Sequence, residues 1–179
     1  MTETKSNVIW ENIQESIKMW GRTNSPWAIH YNSGSCNGCD IEVVASLTPL
    51  YDLERFGIIN MGNPKHADIF VVTGSVNPSS SAVVRNIYDQ MPNPKVVVAV
   101  GICATSGGIF RECYNVLGGI DKVIPVDVYV PGCAARPESI IDGIVKALDI
   151  LEQRSREFKK LRVESQRQEK KLRRYRLND

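Results

Sequence analysis

No stretch of this 179-residue chain is apolar for anything near the roughly 20 residues that a membrane-spanning helix needs. The opening MTETKSNVIW has neither a basic n-region nor an apolar h-region, so no secretory signal is predicted and a cytosolic setting is expected. No internal repeat is present. No G-x-G-x-x-G run occurs, and "VTGSVNPSSS" (72–81), a glycine and serine loop, also lacks the lysine of a P-loop. That loop is therefore read as scaffolding at the sheet edge and not as a phosphate site. Histidine is scarce: His30 and His66 are the two, neither stands in a partner pattern, and both are read as structural.

Net charge is low as well, at +2, but it conceals a division. Residues 152–179 hold eleven Lys/Arg against five Asp/Glu, and the remaining residues hold eleven against fifteen, so a body of −4 carries a basic arm of +6. Only Phe158 and Tyr175 interleave the arm's charges, which is too little aromatic surface for a nucleic-acid platform. No nucleic acid is expected as a partner. The arm is predicted to dock on a neighbouring subunit near the cytoplasmic membrane surface, or else to be a solvated helix.

What is present is an alternation of short β-branched runs and helical segments. Strands are predicted at 27–31, 58–60, 69–73, 96–100 and 126–130, each bounded by Gly, Pro, Asn or Asp. Helices are predicted at 7–20, 41–47, 79–90 and 138–151, with a short helical turn at 110–117. The pattern predicts an α/β fold: a flavodoxin-like parallel sheet flanked by helices, with an N-terminal amphipathic helix and a basic C-terminal helical tail. Boundaries are drawn at 1–24, 25–151 and 152–179. Trp10, Met19 and Trp20 on the first helix either pack on the chain's own domain or lie against a membrane subunit.

Four of the five cysteines share a place in this pattern. Cys36 and Cys39 follow the first strand, Cys103 the fourth and Cys133 the fifth. In a parallel sheet the carboxyl ends of strands share one edge, so these four thiols are predicted to converge there. Gly34, Gly38, Gly101 and the pair Pro131-Gly132 let the backbone approach closely and expose N–H groups. Clustered thiols in a reducing compartment argue against a disulfide framework. Four thiolates suit either a 4Fe-4S cluster or structural zinc, and a single close pair, where zinc sites usually use two, favours the cluster. A thioredoxin-like dithiol of Cys36 and Cys39 leaves Cys103 and Cys133 without a role. Cys113 lies off any strand end and is read as structural or interfacial.

Five blocks carry a resemblance: "SGSCNGCDIE" (33–42), "LTPLYDLERFG" (47–57), "ADIFVVTGSV" (67–76), "GICATSGG" (101–108) and "VIPVDVYVPGCAARPE" (123–138). Together they resemble, in order, the small cluster-bearing subunit shared by energy-converting nickel-iron hydrogenases and respiratory complex I. The resemblance implies a single 4Fe-4S cluster on Cys36, Cys39, Cys103 and Cys133. It implies electron transfer between the clusters of a ferredoxin-like subunit and the active site of a hydrogenase-like large subunit. It further implies membrane subunits as partners and a peripheral position on the cytoplasmic face of the cell membrane. The spacing Cys36-Asn37-Gly38-Cys39 is similar to the hydrogenase branch and the related sulfur-reducing complexes, whereas complex I members typically begin with adjacent cysteines. Ala134 and Ala135 stand where the family often has Pro-Pro. Five cysteines cannot serve both a cluster and a nickel-iron centre, so no complete active site is expected in this chain. Glu42, one turn beyond Cys39, is either a helix N-terminal carboxylate or a group near the cluster that couples proton movement to electron flow. Arg136 either compensates cluster charge or pairs with a surface carboxylate.

Overall fold

The computed structural model describes residues 3–175. Its centre is a sheet of β1 (Trp27–Asn32), β2 (Ile59–Asn60), β3 (Ile69–Thr73), β4 (Val96–Val100) and β5 (Val128–Val130), in the spatial order β2-β1-β3-β4-β5. Every pairing between them is parallel. This is the flavodoxin-like order, with its switch point between β1 and β3. Helices α1 (Glu3–Asn24), α2 (Gly38–Ser46), α3 (Pro78–Gln90), α4 (Gly101–Ser106) and α5 (Pro137–Tyr175) surround it.

β3 and β4 read IFVVT and VVVAV because both of their faces are covered, and every residue of the two is buried. Side chains alternate across the sheet. Ile69, Val71, Val96, Val98 and Val100 point to one core, shared with Val43 of α2 and Ile140, Ile144 and Leu151 of α5. Phe70, Val72, Val97 and Ala99 point to the other, shared with Val84 of α3 and Ala104 of α4. α3 begins at a capping box in which the Asn77 side chain accepts from the Ser80 N–H at 2.7 Å and the Ser80 hydroxyl accepts from the Asn77 N–H at 3.1 Å.

At the amino edge of the sheet two aspartates do the same job twice. Asp68, just before β3, donates its N–H to the Trp27 carbonyl at 2.8 Å and accepts the Trp27 N–H on its carboxylate at 3.2 Å. Asp127, just before β5, treats Val97 likewise, with distances of 3.0 and 2.9 Å. Each carboxylate then meets an arginine from a terminal helix: Arg22 of α1 lies 3.4 Å from Asp68, and Arg154 of α5 forks onto Asp127 and reaches the Lys95 carbonyl at 2.7 Å. These pairs fasten α1 and α5 to the sheet.

Three elements differ from expectation in kind, and others only in their bounds, α1 starting at Glu3 and α2 at Gly38. Residues 111–117 form turns and no helix, following a single 3-10 turn at Gly108–Phe110. α4, which carries Cys103, was not anticipated from the sequence, since six residues are too short to show a period. The segments expected at 138–151 and in the basic arm form one helix of 39 residues, roughly 60 Å long at 1.5 Å per residue. On α1, Trp10 and Trp20 are exposed together with Ile13 and Ile17, whereas Met19 is half-buried on the side facing α5. Among the described residues no helix is long and apolar enough to cross a membrane.

Candidate metal centre

Cys36 ends the loop that leaves β1, and the loop's shape is set by side chains that stand in for backbone. Asn32 Oδ1 accepts the N–H groups of Gly34 and Ser35 at 2.9 and 2.7 Å, and Ser35 Oγ accepts the Asn37 N–H at 3.1 Å. The buried Ser33 hydroxyl donates to the carbonyls of Thr73 and Gly74, sewing this loop to the one leaving β3. Asn37, in the left-handed region at φ 69°, turns the chain into α2, where Cys39 sits in the first turn.

Cys103 lies in the first turn of α4 and Cys133 in the loop after β5. The Ile102 N–H donates to the Gly132 carbonyl at 2.9 Å, joining the two loops. Gly101 is the contact between halves of the site. Its φ is +87°, and a Cβ there would stand 2.4 Å from Cys39 Sγ and near the Gly132 carbonyl. Cys36 and Cys133 are exposed, and Cys39 and Cys103 half-buried. Burial, the largest cause, pushes the Cys39 thiol above the ordinary value; a backbone hydrogen bond from Ala135 opposes this, while the charges of Cys36, Asp40 and Cys133 add to it. The Cys103 thiol is raised by burial and then by Cys133, Cys39 and Cys36. Cys39 and Cys103 therefore each sit within electrostatic reach of Cys36 and Cys133. Yet among the described residues no three His, Cys, Asp or Glu side chains are grouped so as to hold a single metal ion. Cys113 is exposed, in the turns after α4, and takes no part in these interactions.

Glu42 is half-buried on α2, and Arg136 is exposed just before α5. Neither side chain has a hydrogen-bond or ion-pair partner among the described residues. The pairing of Arg136 with a surface carboxylate is thus not found.

A polar network behind Cys39 was missed. Asp40 accepts from the Thr73 hydroxyl at 2.6 Å and from Asn32 Nδ2 at 3.1 Å, and lies 3.0 Å from His30 Nε2. Burial holds the His30 pKa below its ordinary value, against the pull of Asp40. The signal lay in strand register: Asn32 pairs with Thr73 across β1 and β3, and His30 points to the same face two residues earlier. On α2, which carries Cys39, Ile41 and Val44 are exposed, and Ile109, just after α4, is 86% exposed.

A doubly wound parallel sheet with four thiols at its carboxyl edge defines the class: an α/β protein whose strand-end loops form a sulfur-lined site. Residues 36–147 match the family described as NADH ubiquinone oxidoreductase, 20 Kd subunit, and the chain belongs to that family. It is 52% identical over 141 residues to a probable membrane-bound hydrogenase subunit of Pyrococcus furiosus, covering 79% of this chain and 83% of the relative. It is 46% identical over 132 residues to a subunit of the NADH-quinone oxidoreductase of Chloroflexus aurantiacus, covering 73% of this chain and 74% of the relative. Among solved structures, a chain of the membrane-bound sulfane sulfur reductase, an archaeal respiratory membrane complex, superposes with a TM-score of 0.66 at 40% identity, covering 76% of each chain.

Proposed function

We propose that this chain is the electron-transfer subunit of a membrane-bound, hydrogenase-like oxidoreductase complex, holding one 4Fe-4S cluster on Cys36, Cys39, Cys103 and Cys133. The observation that carries this reading is the convergence of three strand-end loops, with Gly101 against Cys39 Sγ, the Ile102 N–H on the Gly132 carbonyl, and Cys39 and Cys103 each in electrostatic reach of Cys36 and Cys133. A single close pair with two thiols from separate loops suits a polynuclear centre better than a zinc staple, which usually uses two close pairs. Membership of the family and similarity to subunits of respiratory and hydrogenase complexes support the role.

A cluster bound there supplies one-electron storage at a potential set by nearby hydrogen bonds, charge and burial. The chain's own residues do the rest. Gly101 leaves the space that Cys39 Sγ occupies, and the Ala135 backbone donates to that sulfur, favouring its charged, ligating form. Asp40, tied to Thr73, Asn32 and His30, fixes the start of α2 and so the direction of Cys39. Because burial raises two of the thiols, loading must release protons and is favoured as pH rises. The exposed Ile41 and Val44 on the helix of Cys39, and Ile109 just after the helix of Cys103, suit coverage by a large subunit that excludes water from the site. With electrons entering from a ferredoxin-like subunit, the chain is a relay, peripheral to membrane subunits on the cytoplasmic face.

A second reading keeps the relay and changes the complex to a sulfur-reducing or quinone-reducing one, favoured by the similarity to the sulfane sulfur reductase chain. Serine replacement tests the part common to both. Cys36→Ser, Cys39→Ser, Cys103→Ser and Cys133→Ser should each lower iron and acid-labile sulfide at least severalfold in anaerobically purified protein, whereas Cys113→Ser should keep both. Normal iron and sulfide in any of the first four sinks the ligand assignment.

A further inference from the structure

Both terminal helices meet the amino edge of the sheet, at the end away from the thiols. Arg22, in the last turn of α1, pairs with Asp68, and Arg154 of α5 pairs with Asp127, after which α5 continues to Tyr175. Lys18, Met19 and Arg22 of α1 line one cavity with Ser155, Phe158 and Lys159 of α5, so the two helices lie side by side. We propose that this pair of helices rests on an anionic lipid surface, with α1 entering the headgroup boundary and the far half of α5 meeting the headgroup charge.

Two independent features select this partner. Trp10, Ile13, Ile17 and Trp20 recur at intervals of three and four residues and so share one face of α1, where each is exposed, Trp10 at 64% and Trp20 at 67%. That face is turned away from α5, because Lys18, Met19 and Arg22 on the other side of α1 are the residues that meet it. An aliphatic stripe between two tryptophans suits a helix lying in the interfacial plane, and among the described residues no helix is apolar enough to span instead. The second feature is net charge. Residues 152–175 hold ten Lys/Arg against four Asp/Glu, and α1 holds three of each sign. With Asp68 and Asp127 included, the helix pair keeps +4 whatever ion pairs form within it, and the rest of the chain carries −2. No unpaired cation is needed, since the field of an anionic surface acts on the balance and turns this end of the molecule towards it. An acidic protein partner would match the charge and leave the tryptophan face bare, and an apolar protein groove would cover that face and leave the charge unmatched. An anionic membrane takes both together. Apart from the start of α5, both helices lie outside residues 36–147, which match the family, so this surface is additional to the shared body. It is remote from the thiols, so lipid binding and cluster content can each fail without the other.

The test uses the full chain, purified anaerobically, in co-sedimentation with phosphatidylglycerol vesicles against phosphatidylcholine vesicles. The wild type should bind the first and not the second, release as salt is raised, and shift its tryptophan emission to the blue on binding. The triple variant Lys160→Gln, Lys170→Gln, Lys171→Gln keeps good helix formers and should bind roughly a hundredfold more weakly. The double variant Trp10→Ser, Trp20→Ser should bind roughly tenfold more weakly or worse and lose the emission shift. Far-ultraviolet circular dichroism of both variants should match the wild type. Failure of the folded wild type to bind phosphatidylglycerol vesicles overturns the proposal and leaves these helices to a protein partner. Equal binding to both kinds of vesicle overturns it as well, as does binding that either variant leaves intact.

Discussion

Gly101 is where the two halves of the thiol edge touch. A side chain there faces a φ of +87° and a Cβ position 2.4 Å from Cys39 Sγ. Gly101→Ala is expected to cost about 1–3 kcal/mol from backbone strain alone, with more from the displaced thiol. Its iron content should fall along with its denaturant midpoint. A variant with both unchanged contradicts the close approach. His30 gives a separate, pH-linked prediction. Its folded pKa lies below the ordinary imidazole value of 6.5 because burial outweighs Asp40. The unfolded chain therefore binds the extra proton more readily. The stability that neutral His30 supports is present above about 6.5 and is lost as pH falls towards its folded pKa. Denaturant midpoints measured at about pH 7.5 and about pH 5.5 should drop less on acidification in His30→Gln than in the wild type. An equal drop in both assigns the acid sensitivity elsewhere.

Among the elements, α5 depends most visibly on one side chain near its middle. Arg154→Ala removes a forked pair with Asp127 and a bond to the Lys95 carbonyl, leaving the largely buried carboxylate of Asp127 without its cation. Arg154 is partly exposed, so the expected loss is about 1 kcal/mol, read from the urea midpoint. A loss below a few tenths of that would show that α5 is held by Leu151 and its neighbours alone. Most elements were legible in the sequence. β3 and β4 have the expected bounds because Val-rich runs between Gly, Pro and Asp admit little else. β5 begins later than 126 because the Asp127 carboxylate takes the ladder place of a carbonyl, which composition does not reveal. α4 was hidden by its brevity, and the basic arm's continuity with α5 by its even polarity. The thiol edge could be read because it needed only strand ends and connectivity. The His30–Asp40–Thr73 network could not, because it depends on which residues of β1 and β3 fall opposite one another.

At the scale of the whole molecule the chain is two-ended. Its carboxyl edge carries the four thiols, and its amino edge carries the Asp68–Arg22 and Asp127–Arg154 pairs that fasten the two terminal helices. The proposed relay lacks the sulfur ligands for a second metal centre, since of five cysteines only Cys113 is left over. The central claim is tested most directly by counting iron and acid-labile sulfide on anaerobically purified wild-type protein and recording its electron paramagnetic resonance spectrum after reduction. About four iron and four sulfide per chain, with a signal that appears on reduction, is the result the account predicts. About one zinc per chain with no sulfide contradicts it.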